Sequence, residues 1–135
     1  MKRLVRYAFV GGIGFLVDAG VLSWLVAAEL AGPIVARCLS FPPAVLATWA
    51  LNRRLVFTSS ARSVGERAHE YGRYFAVQLL GALVNLGVYT LLVANVKTLR
   101  VWPVAALAGG SAVALLFNFL GAKYWVFLQA PRTSR

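Results

Sequence analysis

Apolar residues fall along the chain in four long stretches, at about 8–28, 34–51, 75–94 and 103–122. Each approaches or reaches the roughly 20 residues that an α-helix needs to cross a hydrocarbon core. Gly32-Pro33 interrupts the pattern between the first two stretches, and residues 95–102 interrupt it between the last two, where Pro103 suits a first helical turn. The one long polar stretch, 52–72, separates the pairs, and 66–74 within it reads as a short amphipathic helix along a membrane surface. The pattern predicts an all-α integral membrane bundle of four transmembrane helices, a single membrane domain over 1–135.

The two pairs of stretches carry the same phrase. Arg6-Tyr7-x-x-Val10-x-x-x-Gly14-x-x-x-Asp18-x-Gly20-Val21 returns 67 residues later as Arg73-Tyr74-x-x-Val77-x-x-x-Gly81-x-x-x-Asn85-x-Gly87-Val88. The copies close on Arg53-Arg54-Leu55-Val56-Phe57 and Lys123-Tyr124-Trp125-Val126-Phe127. This predicts two helical hairpins, repeat one at about 6–57 and repeat two at about 73–127, with a cytoplasmic basic loop at about 52–72. It makes Asp18 equivalent to Asn85 and, counting back from Phe57 and Phe127, Thr48 equivalent to Asn118. Duplicated apolar units are how many transporters are built, with the substrate path where the repeats meet.

Composition narrows the class. Of 135 residues, 60% are hydrophobic and 13% charged, with a mean hydropathy of +0.72. A soluble domain carries about 25% charged residues, so this chain needs a bilayer to cover its apolar surface. Its net charge of +10 would suggest nucleic acid in a soluble protein. Here the cations cluster at the ends of the apolar stretches, so no nucleic-acid partner is expected. Eleven of them (Lys2, Arg3, Arg6, Arg53, Arg54, Arg62, Arg67, Arg73, Lys123, Arg132 and Arg135) share the side of the termini and central loop, against Arg37, Lys97 and Arg100 on the other. The positive-inside rule then makes both termini cytoplasmic and the two hairpins parallel. A cleaved leader is the rival reading of Lys2-Arg3 and the apolar run behind them. The repeat opposes it, because it needs the first stretch as an equal partner of the third.

Asp18 is the costly residue. A carboxylate at mid-membrane costs on the order of 2.5–3.5 kcal/mol on insertion scales, so it should face the bundle interior. It reads as a polar contact to a ligand hydroxyl, as a protonatable group coupled to transport, or as a structural hydrogen bond, Asn85 being one partner to consider. Thr48 and Asn118 each sit five residues before a cation, Arg53 or Lys123, about 7.5 Å along a helix. Arg6 and Arg73 enter at the same depth. Arg37, near the outer end of the second stretch, either snorkels or meets an anion. Pro42-Pro43 just beyond it should kink or break that helix. Tyr7, Tyr74, Trp49, Trp102, Tyr124 and Trp125 read as an aromatic belt. Gly11, Gly12, Gly14, Ala19, Gly81, Gly87, Gly109, Gly110 and Ser111 read as close-packing positions. Cys38 is the single cysteine, His69 lies in the polar stretch without a metal partner set, and no nucleophile triad or phosphate loop appears.

The Arg-Tyr-x-x-Val opening with its Gly and Asp resembles the GtrA-like family. So do the Asn52-Arg53-Arg54-x-Val-Phe close of the first half and the Asn118-Phe119-x-x-x-Lys123-x-Trp125-Val126-Phe127 close of the second, over about residues 3–128. Thr48 stands where an Asn is expected and Lys123 where Arg is more usual, which loosens the equivalence of the two hairpins. The resemblance implies a non-enzymatic protein of the bacterial cytoplasmic membrane, without cofactor or metal, serving cell-surface polysaccharide synthesis or glycosylation. It would flip a polyprenyl-phosphate-linked sugar from the inner to the outer leaflet beside a membrane glycosyltransferase. On that reading Arg6, Arg53, Arg54, Arg73, Lys123 and Arg37 attract the lipid phosphate, and Asp18, Asn85, Thr48 and Asn118 line a groove for the sugar. A chain this small would work as a homodimer or larger assembly. The alternative is a non-catalytic anchor that recruits a polyprenyl-phosphate glycosyltransferase. A third reading, a small multidrug-type exporter, fits poorly with so one-sided a charge distribution.

Overall fold

A computed structural model describes residues 1–57, 59–101 and 103–127, apart from the side chains of 33, 34, 37, 100, 101, 103 and 104. The order is α1 (Lys2–Ala27), α2 (Pro33–Leu55), α3 (Val64–Asn95), a one-turn α4 (Lys97–Val101) and α5 (Pro103–Gly121), closed by a π-helical turn (Ala122–Val126). Among the described residues there are no strands. Three helical segments, Lys2–Ala27, Val64–Asn95 and Ala105–Val126, are long and apolar enough to cross a membrane. α2 has 23 residues, roughly 35 Å of helix, but it carries Arg37, Ser40, Thr48, Asn52, Arg53 and Arg54 among its apolar positions.

Local chemistry accounts for the boundaries. α1 ends in a turn where Glu29 takes a left-handed φ of 55°, a conformation that usually calls for glycine. Gly32 caps α2 and Pro33 fills its first turn, while Arg53 and Arg54 sit in the last turn, where cations suit the helix dipole. α2 runs unbroken through Pro42 and Pro43, so the expected break is absent. The surface helix expected at 66–74 is not separate either. Ser63 and Glu66 form a capping box, with Glu66 N–H donating to Ser63 Oγ at 3.1 Å and Ser63 N–H donating to Glu66 Oε2 at 2.9 Å. α3 therefore starts at Val64, eleven residues before the apolar run, and continues for 32 residues. His69 thus lies on a helix rather than in a loop.

α1 packs along α2, and α3 along α5. α1 buries Tyr7, Val10, Gly14 and Asp18, and α3 buries Glu70, Tyr74, Val77 and Gly81, in each case a stripe at three- and four-residue spacing. The core sits where the 56–63 connection and the end of α5 meet. There Phe57 stacks on Phe127 at 5.0 Å and 11°, and Tyr7 meets Phe119 edge-on at 5.6 Å. The outer faces are apolar and exposed, among them Phe9, Phe15, Leu16, Trp24, Leu83 and Leu116, as a lipid-facing surface requires.

Candidate functional site

The four polar residues expected to form a groove share one cavity. Asp18 from α1, Thr48 from α2, Asn85 from α3 and Asn118 from α5 all line a space of about 340 Å³, with Tyr7, Asn52, Tyr74 and Gln78. That volume lies in the range of small-ligand pockets, roughly 300–1,000 Å³.

Small residues let the polar groups sit this deep. A Cβ on Gly14 would stand 2.2 Å from Thr48 Cγ2, one on Gly81 1.8 Å from Asn118 Oδ1, and one on Gly110 2.4 Å from Asn85 Oδ1. Three polar side chains thus rest on glycine backbone of the neighbouring helix. For the two asparagines the geometry brings the carboxamide oxygen against a glycine Cα, the kind of weak C–H···O contact common between close helices. Gly11, Gly12 and Gly87, also read as close-packing positions, would have nothing within 4 Å of an added methyl, so that assignment fails for them.

Asp18 is 8% exposed and accepts a hydrogen bond from the fully buried Ser40 Oγ at 2.5 Å. An interhelical hydrogen bond to Asp18 therefore comes from α2, while Asn85 Oδ1 is buried with no hydrogen-bond partner. Nearer the loop end, Asn118 Nδ2 donates to Gln78 Oε1 at 3.1 Å and Gln78 Nε2 donates to the Tyr7 hydroxyl at 2.8 Å. Asn52 Nδ2 donates to the Tyr74 hydroxyl at 2.8 Å. Tyr7 and Tyr74, read as belt residues, are 3% and 1% exposed and belong to the cavity wall. Trp125 and Tyr124 are 46% and 62% exposed, and Trp102 lies outside the described residues.

Three carboxamide oxygens, those of Asn52, Asn85 and Asn118, are buried without a hydrogen-bond partner. Glycine faces two of them. Asn52 Oδ1 has no such contact, in a residue 1% exposed that lines the cavity. An acceptor left in that state costs about 1–3 kcal/mol, and a hydroxyl in the cavity would satisfy it.

The expected phosphate-binding cations separate. Arg53 pairs with Glu70 Oε1 at 2.9 Å, donates to the Ala61 carbonyl, and lies 5.7 Å from the centre of the Trp49 ring. Glu70, 7% exposed, also accepts from Trp49 Nε1 at 3.0 Å and from the Ser59 hydroxyl. Arg53 thus ties the 56–63 connection to α3. Arg73 lines a smaller polar pocket with Glu66, His69 and Glu70. Lys123 turns onto its neighbour, donating to the Tyr124 hydroxyl at 2.8 Å. Arg6 and Arg54 share a lateral cleft with Phe9, Val10 and Leu55. The Arg37 side chain lies outside the described residues. Among the described residues no cluster of His, Cys, Asp or Glu could hold a metal, and Cys38 is exposed.

Reasoning from sequence missed Asn52, Gln78 and Glu70 as interior groups and misplaced the two tyrosines. The available signal was the repeat itself, since Tyr7 and Tyr74 belong to the duplicated phrase. In comparison with known proteins, the family model described as GtrA/DPMS, transmembrane domain, matches residues 6–127. No curated protein sequence matches the chain.

Proposed function

We propose, from the premise that the chain belongs to the GtrA/DPMS transmembrane domain family, that it carries a polyprenyl-phosphate-linked sugar from the inner to the outer leaflet of the bacterial cytoplasmic membrane. Family membership ties this membrane protein to glycosyl-lipid metabolism; the transport step is our reading. The observation that carries it is the polar cavity of about 340 Å³ bounded by all four long helices, with an unsatisfied acceptor on Asn52. A sugar offers a hydroxyl donor for that oxygen. The prenyl tail would remain in lipid, so only the headgroup needs a path.

On this reading α2 is a fourth crossing segment whose polar residues are tolerated because they face the cavity. The helices then form two parallel hairpins. Burial supports it: Tyr7, Val10 and Gly14 match Tyr74, Val77 and Gly81 at an offset of 67, and Ala36, Ser40, Ala44, Val56 and Phe57 match Ala106, Gly110, Ala114, Val126 and Phe127 at an offset of 70. Termini would be cytoplasmic, the working unit a homodimer or larger, and the protein a transporter rather than an enzyme. The sugar lipid would come from a membrane glycosyltransferase.

The test is reconstitution of purified protein into liposomes containing a short-chain polyprenyl-phosphate sugar, with leaflet-resolved accessibility as readout. Transbilayer movement that disappears in the Asp18→Ala/Asn85→Ala double variant supports the proposal. No movement with folded wild-type protein refutes it. One observation favours the anchor alternative. α3 is 32 residues long, roughly 48 Å, against a hydrocarbon core of about 30 Å, so its first turns stand clear as a docking surface for a glycosyltransferase. An anchor would tolerate the double variant and fail when 62–72 is altered.

A further inference from the structure

We infer that the phosphate of the lipid carrier is held by Arg6 and Arg54 in the lateral cleft between the start of α1 and the end of α2, and not by Arg53, Arg73 or Lys123. The inference rests on the proposed transport of a polyprenyl-phosphate sugar and says where its charged group docks.

The cleft encloses about 440 Å³ and is lined by Arg6, Phe9, Val10, Arg54 and Leu55. It combines two guanidinium groups with an apolar wall, and no acidic side chain is among its lining residues. Phe9 is 68% and Leu55 51% exposed, on the lipid-facing side. Two forks of N–H donors beside open hydrocarbon suit one kind of ligand, an anionic head joined directly to an apolar tail. A free phosphate would engage the arginines and leave Phe9 and Leu55 unused.

Three other cations expected at the phosphate are committed elsewhere. Arg53 is held by Glu70 and the Ala61 carbonyl. Arg73 shares its pocket with Glu66 and Glu70, whose charges would repel a phosphate. Lys123 donates to Tyr124, its ammonium 4.5 Å from the ring centre. The sequence agrees. Arg6 has a counterpart in Arg73, but the position matching Arg54 at the offset of 70 is Tyr124. The second half therefore lacks the second guanidinium, and the site is built once per chain.

Binding of farnesyl phosphate, farnesol and inorganic phosphate to the detergent-purified full chain tests this. Arg6→Gln and Arg54→Gln should each weaken farnesyl phosphate by about tenfold or more, the effect of losing a charge-assisted hydrogen bond. Farnesol binding should not change, and inorganic phosphate should bind far more weakly than farnesyl phosphate. Arg3→Gln and Arg67→Gln remove the same charge outside the cleft and should change binding by less than about threefold. If Arg73→Gln/Lys123→Gln costs as much as Arg6→Gln/Arg54→Gln, or if inorganic phosphate binds as well as the lipid, the inference is overturned. Displacement by an equal concentration of phosphatidylglycerol would overturn it too, marking a general lipid site. Binding without transport in liposomes would sink the flipping reading and leave the cleft standing. Transport with undiminished binding in the Arg6→Gln/Arg54→Gln variant would do the reverse.

Discussion

Gly81→Ala is the sharpest probe of how α3 and α5 meet. The added methyl would lie 1.8 Å from Asn118 Oδ1, 2.4 Å from Cγ and 2.5 Å from Nδ2, where real contacts stay beyond 3.0 Å. The helices must separate by more than 1 Å, or Asn118 must rotate. Rotation breaks its 3.1 Å hydrogen bond to Gln78, worth about 0.5–1.5 kcal/mol, and strands a buried amide at about 1–3 kcal/mol. The expected destabilisation is about 2–4 kcal/mol. Gly87→Ala on the same helix is the control. It has nothing within 4 Å and gains up to about 1 kcal/mol of helix propensity. Reversible unfolding in mixed micelles, followed by circular dichroism, should separate the two variants clearly. Asn118→Ala should largely rescue Gly81→Ala, because the clash is pairwise. If Gly81→Ala and Gly87→Ala unfold within about 0.5 kcal/mol of each other, the close approach of α3 and α5 is wrong.

Four further outcomes are expected. Glu70→Ala leaves Arg53, Trp49 and Ser59 without their shared acceptor and should cost about 3 kcal/mol, with faster protease cleavage in the 56–63 connection; unchanged cleavage would contradict the clasp. Ser63→Ala should cost about 1 kcal/mol, visible as faster amide exchange confined to the first turn of α3. Glu29→Gly relieves a left-handed residue and should stabilise by about 1 kcal/mol; a loss of stability would mean that the Glu29 side chain matters more than its backbone. Asn52→Leu removes the unsatisfied oxygen but also the hydrogen bond to the buried Tyr74 hydroxyl, so it should cost about 1–3 kcal/mol while transport falls; full transport would remove Asn52 from the headgroup path.

The helices were legible because hydropathy alone marks long apolar runs, and Asp18, Asn85, Thr48 and Asn118 were legible because a repeat singles out polar residues in apolar surroundings. Their meeting in one cavity follows from glycines on the facing helices, a relation that spacing on one helix cannot express. The start of α3 was written in Ser63-x-x-Glu66, but a polar first turn breaks the hydropathy signal on which spans are drawn. Pro42-Pro43 does not break α2, because a proline penalty is local and packing against α1 offsets it. Glu70 was hidden for another reason. A charge in a basic, polar stretch looks solvated until its partners Trp49 and Arg53, about twenty residues earlier, are folded against it.

Phe57 on Phe127 joins the α1/α2 pair to the α3/α5 pair at the loop end, and Phe41 on Phe75 with Tyr71 on the Pro42 carbonyl joins them further along α2. Each pair is packed along its length, whereas the pairs meet through fewer contacts, many of them between aromatic rings. The molecule is thus two hairpins stitched together by rings rather than fused along a common seam. Phe57 and Phe127 do not line the cavity, so substituting them would loosen the stitch between the hairpins without altering a residue that faces the cavity.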